Sequence, residues 1–356
     1  MKRISILLVF VLIAVLVAAC GSGAQEAGQE KAEASPDSVE ATEEDANGSD
    51  DPIVIKFPFV NAADSPKGKA AELFKELAEE RTDGRVQVEI YPSGQLYNDQ
   101  ESLEELPKNT IQLISITATT LVGYDPAFQI VDLPFLFHDD EAVYRFWDGE
   151  GGQMLGERLA EHNIKYLGFW ANGFKQFANQ VRPLTSPEDF HGLNFRTQAG
   201  QVLEAQFEAL GAASLTLPLP DVYPALQQGT IDGIENTFNN IDVEHFHEVT
   251  NYLTASNHGR IDYMFLSNVD FWDGLPDDIR SILEEIVTEV TEQQRIWAKE
   301  LDDASYETLK EAGDLEIYEL TEEDKQAFQE AMQPVYDQFS DAIGEDLIEM
   351  ARQANE

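Results

Sequence analysis

Two polar side chains, Arg196 and Asn236, stand where two predicted strands end and are the residues best suited to hold a ligand. Arg196 closes the strand pattern LNFR, and Asn236 closes the strand-like segment DGIEN. Between them, apolar residues recur at helical spacing as far as Leu210, and Gly211 marks a helix stop. Open α/β sheets bind ligands in the crevice beyond the carboxyl ends of their strands. A guanidinium can hold both oxygens of a carboxylate and an amide can donate beside it, so the pair predicts a site for a small carboxylate.

Motifs that would carry catalysis are absent from the sequence. The six histidines form no zincin motif, and no nucleophile elbow, P-loop or G-x-G-x-x-G pattern occurs. His245 and His247, with Glu244 and Glu248 beside them, form a cluster that suggests a metal ion. A helix through this cluster would put the two histidines on different faces. The sequence therefore predicts a binding protein with no metal, no cofactor and no enzyme activity.

The net charge is extreme, with 67 acidic against 23 basic residues and a formal charge of −44. Such a surface argues against nucleic acid and anionic membrane surfaces as partners. It fits a protein working in concentrated salt, where screening suppresses self-repulsion. An ordinary acidic extracellular protein is the alternative. The charge concerns solubility and habitat, and it leaves the fold open.

The first 20 residues have the pattern of an export signal. Positive charge at residues 1–3 precedes an apolar run, residues 4–17, and the small-residue box VAAC ends in Cys20. This box resembles the signal of bacterial lipoproteins, so Cys20 is expected to carry a lipid anchor outside the cytoplasm. A transmembrane helix is the alternative, but the run is shorter than the roughly 20 apolar residues a span requires. Residues 21–52 are acidic and almost free of large apolar side chains, which predicts a disordered tether.

The folded body is expected to begin near Ile53. IVIKFPFV and RVQVEIYP predict strands, and the segment between them predicts a helix with Ser65 as N-cap and Pro66 at its first position. A second helix, residues 99–107, and a strand, residues 111–117, follow. Strands that alternate with helices predict an α/β fold with a mostly parallel sheet.

A second set of strand and helix patterns covers residues 174–261, and a long helical pattern begins after Pro276. Ile279, Leu283 and Ile286 lie on one face of that helix. Because a helix of this length outruns the sheet of one domain, we expect it to span two. No internal repeat is present at a fixed period.

The amino-acid sequence resembles that of one protein family over roughly three hundred residues. The segments IKFPFV, ADSPKGKAAELF, YPSGQL, LPFLF, NGFKQFANQVRPLTSPEDFHGLNFR, DVYPALQQGTIDGIENTFNNI and FWDGLPDDIR follow in the order seen in the solute-binding proteins of TRAP transporters, the tripartite ATP-independent uptake systems. The resemblance implies a periplasmic-binding-protein-like fold with two α/β domains, crossing strands and a long spanning hinge helix. Domain I is expected to comprise residues 53–172 plus 262–301, and domain II residues 173–261 plus 302–356.

The resemblance also implies roles for individual residues. Arg196 matches the carboxylate-binding arginine of the family, Asn236 matches its pocket asparagine, and Lys175 falls where the family more often has a second arginine. The neighbouring carboxylates Asp232 and Glu235 are expected to fix local turns, since they would repel an anionic ligand. Further pocket positions implied by the resemblance are Asn61, Thr117, Trp170 and Gln198, with His258 and Tyr263 on the return crossing.

The function implied by the resemblance is capture of a small organic acid, above all a four-carbon dicarboxylate, in a cleft between the domains. The expected partners are this ligand, the small and large membrane permease subunits, and the membrane through the lipid anchor; the protein itself is expected to be a monomer. A ligand-sensing subunit for sugar acids or other carboxylates, without transport, is the alternative. An enzyme on the same scaffold is a third reading, and the missing nucleophile and acid–base pair count against it.

Overall fold

The computed structural model describes residues 51–356, and these contain eleven strands and eleven α-helices. Cys20, the predicted export signal and nearly all of the predicted tether lie outside the described residues. The strands are β1 (Ile53–Pro58), β2 (Val86–Tyr91), β3 (Leu113–Thr117), β4 (Ile164–Phe174), β5 (Gln176–Asn179), β6 (Asn194–Thr197), β7 (Ala213–Thr216), β8 (Gly233–Asn236), β9 (Tyr252–Ala255), β10 (Arg260–Asn268) and β11 (Glu316–Glu319). The helices are α1 (Pro66–Arg81), α2 (Asp99–Glu105), α3 (Asp140–Asp148), α4 (Glu150–Ala160), α5 (Gln201–Ala209), α6 (Val222–Gln227), α7 (Phe238–Val243), α8 (Val269–Asp273), α9 (Asp277–Ala312), α10 (Glu322–Ile343) and α11 (Glu345–Gln353). None of these helices is both long enough and apolar enough to cross a membrane.

Helix starts follow the capping chemistry of the sequence. The prediction for α1 is confirmed: Ser65 Oγ accepts a hydrogen bond from Gly68 N at 3.1 Å, and Pro66 occupies the first helical position. At the start of α2, Asn98 and Glu101 form a reciprocal capping box. This box fixes the first turn of α2, which carries Asp99 and borders a cavity that Arg196 also lines.

The strands form three sheets, of which one is parallel, one is antiparallel and the largest is mixed. β1 pairs with β2 in parallel, β10 lies between β3 and β4 with antiparallel pairing on both sides, and the largest sheet has the order β11-β9-β5-β8-β6-β7. Within that sheet β5 is antiparallel to β8 and β9, while β6 is parallel to β7 and β8. β11 is parallel to β9. The prediction of a mostly parallel sheet therefore holds for β1–β2 and for three of the five strand pairings of the large sheet, but not for the antiparallel β3-β10-β4 sheet. The chain leaves one sheet through β4 and returns beside it through β10, and a strand that returns beside its outgoing neighbour runs antiparallel.

The long helix α9 has 36 residues and is confirmed as an element that spans the body. At 1.5 Å per residue it is about 54 Å long. Ile286, near its start, packs in the apolar core formed with β1, β2 and α1, whereas Leu309, near its end, packs in the core formed with β8, α6 and α7. One helix thereby belongs to two cores, one beside each of two separate sheets.

The C-terminal helices α10 and α11 pack mainly against segments that precede β4. α10 contacts α5 and the 3₁₀ segment Pro126–Asp132, and α11 contacts α3 and α4. The predicted domain limits assign residues 53–172 and 302–356 to different domains, so the contacts with Pro126–Asp132, α3 and α4 cross that division, whereas the contact between α10 and α5 does not. The strands follow the division more closely, because the six-stranded sheet is built from residues 176–255 and 316–319.

Candidate functional site

A cavity of about 230 Å³ lies where the ends of several strands meet. The parallel strands β6, β7 and β8 bring Arg196, Thr216 and Asn236 to one edge of the large sheet. The opposite wall comes from the loop after β1, the start of α2 and the end of β3. The polar residues among its lining are Asn61, Asn98, Asp99, Gln100, Thr117, Thr120, Arg196, Gln198, Thr216, Asn236, Asn240 and Tyr263.

Arg196 supplies the cation of the cavity wall. It lies on β6, between β7 and β8, and only 4% of its surface is exposed. Its Nε donates to the carbonyl oxygen of Leu217 at 2.9 Å, and the guanidinium makes no other hydrogen bond to residues 51–356. Burial lowers the pKa of Arg196 to about 10, so the group is still cationic at neutral pH. The anchored Nε fixes the plane of the guanidinium and leaves its Nη groups to receive the two oxygens of a carboxylate.

A chain of buried amides extends from Asn236 across the cavity. Asn236 Oδ1 accepts from Asn240 Nδ2 at 2.8 Å and from Thr237 N at 3.0 Å, which leaves the Asn236 Nδ2 group as a donor. Asn61 Nδ2 lies 3.3 Å from both Asn240 Oδ1 and Tyr263 Oη. The buried Asn61 Oδ1 has no partner among the described residues. The wall therefore offers an unused amide donor beside Arg196, while Asn61 on the other side is held by its contacts with Asn240 and Tyr263.

Asp99 and Lys67 add one charge of each sign near the cavity. Asp99 lines it, and the shielded Asp99 Oδ1 has no partner among residues 51–356. Burial raises the pKa of Asp99, although Lys67 and Arg196 oppose the shift. Lys67 Nζ donates to Ser115 O at 2.8 Å and lies 3.4 Å from the centre of the Tyr263 ring, and burial lowers the pKa of Lys67 to about 8. Lys67 supports the wall through Tyr263 and does not line the cavity.

The structure brings five of the predicted ligand-binding residues to this cavity. They are Asn61, Thr117, Arg196, Gln198 and Asn236. Tyr263 joins them because β10 pairs with β3 so that Tyr263 stands opposite Thr117. Thr117 Oγ1 is 2.9 Å from Thr120 Oγ1, and this contact orients both hydroxyls at the wall.

Lys175 lies elsewhere, and the expectation that it contacts the ligand does not fit its position. It occupies the junction between β4 and β5, is 1% exposed, and is not part of the cavity lining. Its Nζ is 2.8 Å from Glu235 Oε1 and 3.3 Å from Asp132 Oδ1. A lysine that faces two buried carboxylates is already paired, so it is not available to a ligand.

Glu235 has a wider role than the local turn expected from the sequence. It is buried, with Oε1 toward Lys175 and Oε2 at 2.9 Å from both His258 Nε2 and Gln206 Nε2. His258 in turn is 2.7 Å from Ser256 Oγ and stacks on Phe177, and burial lowers the pKa of His258. Asp232 behaves as expected, since its side chain accepts from the backbone N of Asn194 at 2.8 Å.

Trp170 is also a packing residue in this structure. Its indole is fully buried, stacks on Phe265 with ring centres 4.4 Å apart, and donates from Nε1 to Thr291 Oγ1 at 3.1 Å. It ties β4 and β10 to the long helix α9 and does not line the cavity.

Several lining residues escaped sequence reasoning, among them Asp99, Thr120, Leu217 and Asn240. Asn240 lies on α7, a helix of only six residues, which is too short for apolar periodicity to indicate. Asp99 lies in the first turn of a predicted helix, where acidic residues are common because they stabilise the helix dipole, so its position gave no sign of a cavity role. The role of Leu217 is carried by its backbone carbonyl, which no side-chain pattern can indicate.

The prediction that His245 and His247 lie on different faces of a helix is wrong. α7 ends at Val243, and His245 has a left-handed backbone with φ of 59° before the 3₁₀ segment Phe246–Val249. The turn brings one nitrogen of each ring and one oxygen of Glu248 within 4.8 Å of one another.

Comparison with known proteins agrees with this geometry. Residues 57–342 match the family described as DctP: bacterial extracellular solute-binding protein, family 7. The C4-dicarboxylate-binding periplasmic protein DctP of Rhodobacter capsulatus is 42% identical over 308 residues, which are 85% of this chain and 91% of that protein. The C4-dicarboxylate-binding protein DctB of Bacillus subtilis is 34% identical over 86% of this chain and 87% of its own length.

Solved structures show the same fold. A TRAP periplasmic solute-binding protein from Shewanella oneidensis, with bound succinate, superposes with a TM-score of 0.84 at 38% identity, over 86% of this chain and all of that one. A homologue from Pseudomonas aeruginosa, with bound L-malate, gives a TM-score of 0.77 at 40% identity, over 80% of this chain and 99% of that one. The expected two-domain periplasmic-binding-protein-like fold is thereby confirmed. The chain belongs to bacterial extracellular solute-binding protein family 7, the solute-binding proteins of TRAP transporters.

Proposed function

We propose that this protein captures a four-carbon dicarboxylate outside the cytoplasm and delivers it to the small and large membrane subunits of a TRAP transporter. The observation that carries the proposal is the buried guanidinium of Arg196, which is anchored through Nε and borders a cavity of about 230 Å³. A buried cation without a carboxylate partner is favourable only when a ligand or water satisfies it.

The size and chemistry of the cavity favour a short diacid. Its volume is below the range of roughly 300–1,000 Å³ of drug-sized ligand sites. Arg196 can hold one carboxylate, and the unused donor of Asn236 lies beside it. The homologues with bound succinate and L-malate, and the relatives named as C4-dicarboxylate-binding, support the same ligand class. A sensory role for sugar acids without transport receives no comparable support from the structure.

Isothermal titration calorimetry of the folded protein against succinate, malate, fumarate and galactonate tests this function. We expect the four-carbon diacids to bind most tightly. Arg196→Ala removes hydrogen bonds to a charged group, each of about 1.5–3 kcal/mol, so affinity should fall by at least roughly tenfold to a hundredfold. Arg196→Lys should restore only part of it, because an ammonium lacks the two-pronged geometry.

Arg182→Ala is the matched control, since Arg182 is an exposed arginine of the same region that donates to the backbone of His191. Its affinity should equal that of the wild type. Near-normal affinity in Arg196→Ala would overturn the assignment of Arg196. Tightest binding of galactonate would replace the dicarboxylate assignment by the sugar-acid alternative.

The proposal includes attachment of the mature protein to the outer face of a membrane through lipid on Cys20, as a monomer without enzyme activity. The support is the VAAC box followed by a polar acidic segment. Cys20→Ser should release the protein from the membrane fraction or leave it unprocessed. A variant that stays as firmly membrane-bound as the wild type would show instead that the apolar run of residues 4–17 is the anchor.

A further inference from the structure

The turn after α7 carries a second constellation of ligand-type side chains, separate from the solute cavity. His245 Nδ1 is 3.8 Å from Glu248 Oε1, and the His245 and His247 rings have centres 5.9 Å apart. One donor atom from each of the three residues lies within 4.8 Å of the other two. Donors around a tetrahedral ion at bond lengths of about 2.0–2.2 Å are separated by less than this, so small side-chain rotations suffice to close the set.

The backbone holds the turn in place. His245 N donates to Asp242 O at 3.0 Å and Glu248 N donates to His245 O at 3.1 Å. Phe246, between the two histidines, is 1% exposed and packs in the core with α6 and α7. With Phe246 buried, the flanking imidazoles are left at the surface, where His245 is exposed and His247 is half-buried.

Two of the three side chains also have the outer partners that metal ligands use. His247 Nδ1 is 3.2 Å from the carbonyl oxygen of Ile241, and a carbonyl can only accept, so Nδ1 carries the proton and the lone pair is on Nε2. Glu248 Oε2 accepts from Tyr223 Oη at 3.0 Å, which leaves Oε1 on the side of His245. Bonds of this kind to a carbonyl or a second polar group orient metal-binding histidines and carboxylates.

We propose that His245, His247 and Glu248 bind a divalent transition-metal ion such as Zn²⁺. Two imidazole nitrogens, one carboxylate oxygen and a water molecule would complete a tetrahedral set. The nitrogen donors favour Zn²⁺, Ni²⁺ or Cu²⁺ over Ca²⁺ and Mg²⁺, which prefer all-oxygen sites. The net charge of −44 raises the local concentration of cations at the surface without selecting among them.

The site directly follows Glu244, whose Oε1 accepts a hydrogen bond from Ala62 N at 3.1 Å. It also lies near Asn240, on α7, which borders the solute cavity. A bound ion would therefore stabilise the C-terminal end of α7, the helix that carries Asn240. It would not itself contact the solute.

The test is calorimetric titration of Zn²⁺ into metal-stripped protein purified without a polyhistidine tag. Excess Ca²⁺ in the buffer occupies simple carboxylate sites. We expect one Zn²⁺ site in the wild type and more than about a tenfold loss of affinity in both His245→Asn and His247→Asn, since even loss of an outer partner weakens a metal site by that factor. Asparagine tolerates the left-handed backbone at residue 245 and keeps a side-chain donor toward Ile241 at residue 247.

His191→Asn, at an exposed histidine outside the cluster, is the control and should bind Zn²⁺ like the wild type. Co²⁺ should give intense tetrahedral absorption bands in the wild type, and these should disappear in His247→Asn. Matching thermal unfolding of the metal-free variants establishes that they are folded. Unchanged Zn²⁺ affinity in both variants, or only weak binding that Ca²⁺ abolishes, would overturn the proposal.

Discussion

Lys175 Nζ lies 2.8 Å from Glu235 Oε1, and this buried ion pair anchors the strand that ends in Asn236. Successive side chains of a strand point to opposite faces, so Glu235 and Asn236 face different sides of β8. Burial disfavours ionisation of both partners, yet their attraction raises the pKa of Lys175 and lowers the pKa of Glu235. Lys175, which the resemblance assigned to ligand binding, therefore stabilises β8 from the face opposite Asn236.

Lys175→Met should destabilise the protein far more than it alters the ligand contacts. Removal of the cation leaves Asp132 and Glu235 buried without their lysine partner, and breaking a buried ion pair in this way costs about 3–5 kcal/mol. Urea unfolding should show this loss in the free energy of unfolding. Lys69→Met, at an exposed lysine of α1, should change it little. An unchanged free energy of unfolding, with affinity lost as in Arg196→Ala, would return Lys175 to the ligand site.

Asp99→Asn should tighten the binding of succinate. Asp99 is the carboxylate of the cavity wall and would repel a dianion, while its charge also partly offsets that of Arg196. Asparagine keeps an oxygen in place and removes the charge. Calorimetry at neutral pH should show a larger gain for a dicarboxylate than for a monocarboxylate of similar size. Weaker binding of both would mean that the carboxylate of Asp99 accepts a hydrogen bond from the ligand.

Glu244→Ala should weaken solute binding. Glu244 connects the two walls of the cavity but does not itself line it. Glu244 Oε1 accepts from Ala62 N, so the change removes a hydrogen bond between the loop after β1 and the end of α7. A loss of about 1 kcal/mol corresponds to roughly fivefold weaker solute binding. Small-angle scattering should show a larger ligand-free radius of gyration and the wild-type value at saturating ligand. Glu208→Ala, on the exposed face of α5, serves as control, and identical scattering of Glu244→Ala and wild type would refute the prediction.

Asp302→Asn should stabilise the protein only above acid pH. Asp302 borders a second cavity, between α9 and the β4–β5 junction, and burial raises its pKa from 3.8 to about 6 while Asn239 donates to its Oδ1 at 2.8 and 2.9 Å. A raised pKa in the folded state means that the wild type loses stability as pH rises from about 4 to 6, because the unfolded chain ionises first. The variant keeps the acceptor oxygen and should gain roughly 3 kcal/mol above pH 6.5, with no gain near pH 4.

Unfolding in denaturant at several pH values measures this difference. Asp303→Asn, which removes an exposed carboxylate paired with Lys299, should show no such pH-dependent gain. A gain of equal size at pH 4 and pH 7 would show that the effect of Asp302→Asn does not come from its ionisation.

The sequence predicted local elements well because their signals are local. The start of α1 at Pro66, the strand that contains Arg196 and the helix that begins after Pro276 all appear where capping residues and apolar spacing place them. The mixed sheet could not be read in this way, because the direction of pairing depends on which strands become neighbours. The left-handed turn at His245 was missed for a related reason, since a polar segment after a short helix carries no strong backbone signal.

The sequence by itself determined the family, the class of fold and the cation of the site, Arg196, since these depend on the order of motifs and on residue types at strand ends. The tertiary structure alone decided which other charges face the cavity. Lys175 and Asp99 are both charged residues near predicted element ends, yet Lys175 meets two buried carboxylates and Asp99 borders the cavity. The physical reason is that the role of a buried charge depends on its partners, and those of Lys175 lie 43 and 60 residues away along the chain.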